Sequence, residues 1–212
     1  IGAIKIARKI GQEKYKKFLQ DLNLLSTVQF ELDEVSTPLK FKWNKCKLET
    51  VSFGHGIMTT PLQAAAAYAA ISNGGYIIKP TLYKSEKNIL NNHNQVISEA
   101  TSKKMNKILR KVVANDKGTA SLANIFGYDV GGKTGTAQNY ERKSENINTF
   151  ISVFPTHNPR YVLLVILDNP KPAPHLTYNY KGTNISNINR NEAGWNSVYV
   201  TGKIIEKIGP IL

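Results

Sequence analysis

The sequence predicts an α+β domain: an antiparallel sheet with flanking helices. Three observations carry that expectation. Residues up to about Asn115 are dominated by apolar spacings of helical period, three extended runs joined by short links follow, and an amphipathic segment closes the chain. Sheet and helices must then cover each other's apolar faces to make one core.

The elements follow in order. Ile1, Ile4, Ala7 and Ile10, then Tyr15, Phe18, Leu19 and Leu22, with Gly11 between, predict two helices or one interrupted helix up to about Leu24. From Leu25 to Thr50 the periodicity weakens. Pro38, mixed charges and the alternation Val28, Phe30, Leu32 predict an irregular excursion with short strands. Thr60 is a helix N-cap with Pro61 at the first helical position and Gln63 three residues after the cap, a capping box leading into Ala64 to Ser72. That helix is small on nearly every face, so it is expected to be buried, with Gly74 or Gly75 ending it.

His55, between two glycines, has no second His, Cys or carboxylate at ligand spacing and reads as a turn histidine. Tyr76 to Tyr83 reads as a short extended segment and Asn88 to Gln95 as a polar loop. Ser98 caps a helix to about Asn115. Met105, Ile108, Leu109, Val112 and Val113 form its apolar face, and Lys103, Lys104, Lys107, Arg110 and Lys111 its solvated one. Residues Gly118 to Ile125 add a short helical piece.

The extended runs are Gly131 to Ala137, Thr149 to Phe154 and Tyr161 to Leu167, with a polar connection at Asn139 to Asn148. Short links make them an antiparallel meander. Residues Asp168 to Ala193, with three prolines, are expected as a surface loop, and Gly194-Trp195 opens a last helix carrying Val198, Ile204, Ile205 and Ile208.

Composition bounds the function only loosely. At 212 residues the chain suits a single domain, and its net charge of +13 would attract nucleic acid, anionic lipid or an acidic polymer. The lysines are scattered, however, without a helix-turn-helix, zinc spacing or interleaved aromatic pattern, so no nucleic-acid partner is expected. The single cysteine, Cys46, cannot form an internal disulfide. No apolar run is long enough to span a bilayer.

Gly131-Gly132-Lys133-Thr134-Gly135-Thr136-Ala137 concentrates the chemistry. It places a cation, two hydroxyls and side-chain-free backbone within seven residues, the composition of a strand edge that reads a carboxylate or, taken alone, of a Gly-rich turn beside an exposed lysine. Lys133 and Gly135 share one face of the strand, and Thr134 and Thr136 the other.

Here the chain resembles the transpeptidase domain of penicillin-binding proteins, most closely the class B, division-type enzymes. Thr60-Pro61-Leu62-Gln63-Ala64 resembles the family's helix start, and Lys133-Thr134-Gly135-Thr136-Ala137 its third catalytic motif. The two following strands and Gly194-Trp195 to Ile208 resemble its closing sheet and helix, and Ile1 to Ala7 the helix after its Ser-x-Asn motif. The resemblance implies a β-lactamase/transpeptidase-like fold, of which residues 1–212 are expected to be the C-terminal part of a single domain with the N-terminal part missing. No serine here has a lysine three residues later, and Ser144-Glu145-Asn146, the sole Ser-x-Asn, follows the Lys-Thr-Gly motif. Both missing motifs are therefore expected upstream, and this chain alone is expected to be inert.

By the same resemblance, Lys133 and Thr136 are catalytic. Thr134, Gly135 and Thr136 bind substrate, with Thr136 lending its main-chain amide to the oxyanion. No metal or cofactor is expected. The implied activity is peptidoglycan D,D-transpeptidation on D-Ala-D-Ala stem peptides, with β-lactams as inhibitors and division-machinery membrane proteins as partners. It would take place at the periplasmic face of the inner membrane, through an anchor outside this chain. The alternatives are an inactive split-gene remnant, a β-lactamase-like hydrolase or penicillin sensor, and a basic nucleic-acid-binding protein with an accidental motif.

Overall fold

The computed structural model describes residues 1–28, 30–32, 43–44, 46–84, 95–115, 117–139, 142 and 145–212. The chain divides into two compact units, Ile1–Ala70 with Gly75–Ser98, and Ile71–Gly74 with Glu99–Leu212.

The first unit is helical. Helices α1 (Gly2–Ile10) and α2 (Gln12–Asp21) are separated by Gly11, whose φ of 84° lies in the left-handed region, so the pattern is two helices. Ala7, Leu19 and Leu22 are buried. The expected irregular excursion contains a helix instead, α3 (Lys47–Val51), which packs on α1 and carries Glu49 to within 3.0 Å of Arg8. No strand forms among the described residues of 25–50; Val28 is buried, and the Glu31 carboxylate accepts from Thr81 Oγ1 and the Leu82 N–H. Pro38 lies outside the described residues.

The capping box forms as the sequence predicts. The Gln63 N–H donates to Thr60 Oγ1 at 3.2 Å, and the Thr60 N–H donates to Gln63 Oε1 at 2.8 Å, opening α4 (Pro61–Ser72). The same side chain also donates through Nε2 to the carbonyls of Asn23 (2.9 Å) and Ser26 (2.6 Å). Gln63 is only 1% exposed, so one amide caps a helix and satisfies the carbonyls of the turn after α2. Gly74 and Gly75, both at positive φ, follow the helix. Tyr76 pairs with Gln95 in an isolated bridge, and most of the polar loop before Gln95 lies outside the described residues.

The second unit holds the sheet. Strands β1 (Gly131–Gln138), β2 (Asn146–Phe154) and β3 (Tyr161–Asp168) form an antiparallel meander in the order β1-β2-β3, with Lys133 opposite Ile151 and Gly135 opposite Thr149. Strand β2 starts earlier than expected. Pairing across the hairpin draws Asn146 to Asn148 into the ladder despite the low strand propensity of Asn.

Helix α5 (Glu99–Ala114) packs on β1. Its buried stripe is Ser102, Asn106, Leu109 and Val113, whereas Ile108 is 53% exposed. This corrects the expected apolar face. The two polar members are buried because Ser102 Oγ accepts the Gly74 N–H and Asn106 Nδ2 donates to the Ser72 carbonyl.

The expected loop after β3 contains a small hairpin, β4 (Tyr178–Tyr180) and β5 (Thr183–Ile185). Lys181 and Gly182 both have positive φ, the geometry of a two-residue type I′ turn. Tyr178 is buried edge-on against Trp195 and Tyr199, with ring centroids 5.6 and 4.9 Å away. The last helix, α6 (Ser197–Ile208), begins three residues later than Gly194. Ala193–Trp195 forms a 3-10 turn, and Asn196 caps the helix by accepting the Ser197 N–H at 2.6 Å. Val198 and Ile205 of α6 meet Phe150 and Phe154 of β2 in a core completed by Val113, Ala120, Ala123 and Val130.

Candidate active site

The Lys-Thr-Gly stretch occupies β1, and β1 is an edge of the sheet among the described residues. An edge strand keeps half of its N–H and C=O groups for a partner outside its own sheet, the requirement for recognition of an extended peptide.

Three features place this edge. Gly132 lets β1 lie close to β2: a Cβ there would run into the Ile151 carbonyl and sit 2.6 Å from Phe150 Cζ. Its absence lets the hydrophobic core come directly up to the strand. At the strand's entry, Asp129 adopts a φ of 46° and is gripped from both sides. Arg110 Nε lies 2.7 Å from Asp129 Oδ1, while Oδ2 accepts from Thr156 Oγ1 (2.6 Å) and the His157 N–H (3.2 Å) and lies 2.9 Å from His157 Nδ1. Arg110 donates further to the Val130 carbonyl and Asn124 Oδ1. The sequence reading put Arg110 on a solvated face. It is instead the clamp between α5 and the start of β1, a role invisible without the fold. Partial burial alone would raise the Asp129 carboxyl pKa, but the Thr156 and His157 hydrogen bonds and the Arg110 charge hold it below its ordinary value.

Below Thr136, the third feature is a set of asparagines. Asn148, the cross-strand partner of Thr136, is fully buried and donates through Nδ2 to the Asn191 carbonyl (2.7 Å) and Asn196 Oδ1 (3.2 Å). This ties β2 to the cap of α6.

The predicted site residues fall together on this strand. Lys133 is exposed and donates from Nζ to the Thr134 carbonyl at 2.7 Å, and no carboxylate pairs with it among the described residues. Backbone groups two residues apart point to the same side of a strand, so the Thr136 N–H faces the side on which Lys133 meets that carbonyl. Thr136 is exposed and Thr134 half-buried. At Gly135, a Cβ would meet the Thr149 hydroxyl, which itself donates to the Gly135 carbonyl at 3.4 Å, so the first neighbour excluding a side chain there is the protein's own β2.

One residue near the motif escaped the sequence reading. Thr119 Oγ1 lies 3.3 Å from Thr134 Oγ1. Its only signal in the sequence is a hydroxyl in the short Gly-Thr-Ala link, which says nothing about where it packs. His55 sits in the turn after α3, exposed beside the Phe53 ring. Ser144 lies outside the described residues.

Comparison with known proteins assigns the chain. The model of the penicillin binding protein transpeptidase domain matches residues 1–191. A probable peptidoglycan D,D-transpeptidase FtsI of Caulobacter vibrioides is 32% identical over 100% of this chain and 36% of its own length. The stage V sporulation protein D of Bacillus subtilis is 33% identical over 80% of this chain and 29% of its own length. The chain thus spans about a third of the length of the curated relatives it matches.

Among solved structures, a peptidoglycan glycosyltransferase from Burkholderia ambifaria superposes with a TM-score of 0.76 at 26% identity, covering 99% of this chain and 60% of the other. An ampicillin complex of penicillin binding protein 3 from Mycobacterium tuberculosis does so with 0.76 at 25%, covering 97% and 48%. The α+β fold of antiparallel sheet and flanking helices is that of these domains. With its Lys-Thr-Gly edge strand, its capping-box helix and these matches, the chain belongs to the penicillin-binding protein transpeptidase domain family, in its division-type class B branch.

Proposed function

We propose that this chain forms the Lys-Thr-Gly wall of the acyl-transfer cleft of a peptidoglycan D,D-transpeptidase, as the C-terminal part of one such domain in a longer protein. The observation that carries the reading is the exposed Lys133 and the Thr134 and Thr136 hydroxyls together on an edge strand. In the proposed reaction a serine from outside this chain attacks the D-Ala-D-Ala carbonyl and expels the last D-Ala. The acyl group then passes to an amine of a neighbouring stem.

Each motif residue has a task in that sequence. Lys133 supplies positive potential and donors to the nucleophile's surroundings, and the Thr134 and Thr136 hydroxyls donate to the terminal carboxylate. Gly135 keeps the strand edge low so that the stem peptide pairs with it. The Thr136 N–H is one donor to the oxyanion, and losing such a donor costs on the order of a hundredfold or more in rate. β-Lactams enter as mimics of the acylated stem. The partners are stem peptides and division-machinery membrane proteins, at the periplasmic side of the inner membrane. No described helix is long and apolar enough to cross a membrane, so an anchor in the remainder of a longer protein belongs to the proposal.

Since no serine here is followed three residues later by lysine, the chain by itself is proposed to be inert. The test is fluorescent-penicillin labelling of native extract, probed with an antibody against Trp195 to Leu212. A labelled band well above 23.6 kDa supports the reading. An unlabelled antibody band near that mass means a split-gene remnant, and the catalytic reading then fails for this protein.

A further inference from the structure

We infer that Thr119 is a positioning residue for the carboxylate-reading edge. It donates its hydroxyl proton to Thr134 Oγ1 and so turns the Thr134 proton outward to the ligand's carboxylate. This rests on the reading of Thr134 given above.

The two hydroxyl oxygens are 3.3 Å apart and either one is able to donate. Each has a single proton. When Thr134 donates to Thr119, its proton is spent inside the protein and only lone pairs remain for an incoming carboxylate, which repels them. When Thr119 donates, the Thr134 proton is left for the anion, and the chain Thr119 O–H to Thr134 O–H to carboxylate is polarised in one direction. A bound anion therefore selects the second arrangement, and Thr119 is what makes it a complete chain.

The support of Thr119 is rigid enough for this task. Its carbonyl abuts Gly194, where a Cβ would lie 2.7 Å from that oxygen. The next residue, Ala120, is fully buried and donates its N–H to the Val112 carbonyl at 3.1 Å. On the other side, the Gly118 N–H donates to the Asn115 carbonyl at 2.8 Å. The Gly118-Thr119-Ala120 link is thus fastened to the end of α5 and the turn before α6, while the Thr119 side is exposed toward Thr134.

The test is the second-order rate constant for acylation by benzylpenicillin in the full-length protein carrying this chain. Thr119→Val, Thr119→Ser, Thr134→Val and the Thr119→Val/Thr134→Val pair are compared, with thermal melts as a folding control. Thr119→Val is expected to slow acylation roughly five- to tenfold, the span of one net hydrogen bond. Thr119→Ser is expected to stay within about twofold, and Thr119→Val to add nothing in the Thr134→Val background, since coupled neighbours are not additive.

A normal rate for Thr119→Val beside a slow Thr134→Val overturns the relay and leaves the site reading intact. An equal loss from Thr119→Val in both backgrounds, or a serine variant as slow as valine, also overturns it. A wild-type protein that is not acylated, or a Thr134→Val variant at full rate, removes the site reading and the relay with it.

Discussion

Gly132 and Gly135 stand three residues apart on one strand, and the structure assigns them different tasks. A methyl group at Gly132 would collide with the Ile151 carbonyl and lie 2.6 and 2.8 Å from Phe150 Cζ and Cε2. Neither obstacle yields, because the carbonyl belongs to the neighbouring strand and the Phe150 ring is fully buried in the core. Overpacking costs about 1–3 kcal/mol, and rigid neighbours put Gly132→Ala at the upper end. At roughly 2–4 °C per kcal/mol for a chain of this size, the melting temperature should fall by about 6–12 °C.

At Gly135 the sole close obstacle among the described residues is the Thr149 hydroxyl, with Thr149 Cβ already 3.8 Å away. Rotating that side chain sacrifices a 3.4 Å bond to the Gly135 carbonyl, worth about 1 kcal/mol at most, and the alanine recovers part of it by lowering backbone entropy in the unfolded chain. Gly135→Ala should therefore shift the melting temperature by no more than about 3 °C, and adding Thr149→Ala should remove the shift. Differential scanning calorimetry of Gly132→Ala, Gly135→Ala, Thr149→Ala and the Gly135→Ala/Thr149→Ala pair checks this. Equal losses for Gly132→Ala and Gly135→Ala, or no relief from Thr149→Ala, would refute the reasoning.

Two further perturbations follow. Gln63→Glu keeps the acceptor that caps α4 but removes both donors to the Asn23 and Ser26 carbonyls and buries a charge, so it should cost more than Gln63→Ala, itself about 2–4 kcal/mol from a lost cap and stranded carbonyls; urea denaturation orders the two. Because the folded Asp129 carboxyl sits below its ordinary value, the stability it contributes is full above the unfolded carboxylate range near pH 4 and is lost as pH falls through the folded value. Asp129→Asn should lower stability at pH 7 by about 1–2 kcal/mol, discounted for its partial exposure, and flatten the acid limb of the stability–pH curve; an unchanged acid limb contradicts the clamp.

How much of this was legible depended on whether the determining interactions were local. The capping box at Thr60 and Gln63 and the break at Gly11 were readable because each rests on residues within a few positions of one another, and the meander because its three extended runs follow one another directly in the chain. Arg110 was misread as solvated because its partners, Asp129, Val130 and Asn124, lie 14 to 20 residues away and meet it only when α5 crosses β1. The β4–β5 hairpin was missed although Tyr178 and Tyr180 alternate just before its turn, since Lys-Gly is a weaker turn signal than Asn-Gly and three prolines suggested a loop. At the site, the motif residues were visible as a string, whereas Thr119 and Asn148 enter only through packing.

The central claim, that Lys133 stands in the acylation machinery, is tested most directly by stopped-flow acylation of the full-length protein with a fluorescent penicillin, wild type against Lys133→Ala. Lys133 is exposed and holds only the neighbouring Thr134 carbonyl among the described residues, so its loss should leave the melting temperature within about 2 °C. Acylation should slow on the order of a hundredfold, as expected for removing one group that stabilises developing charge. An unchanged acylation rate in a folded Lys133→Ala protein would contradict the account.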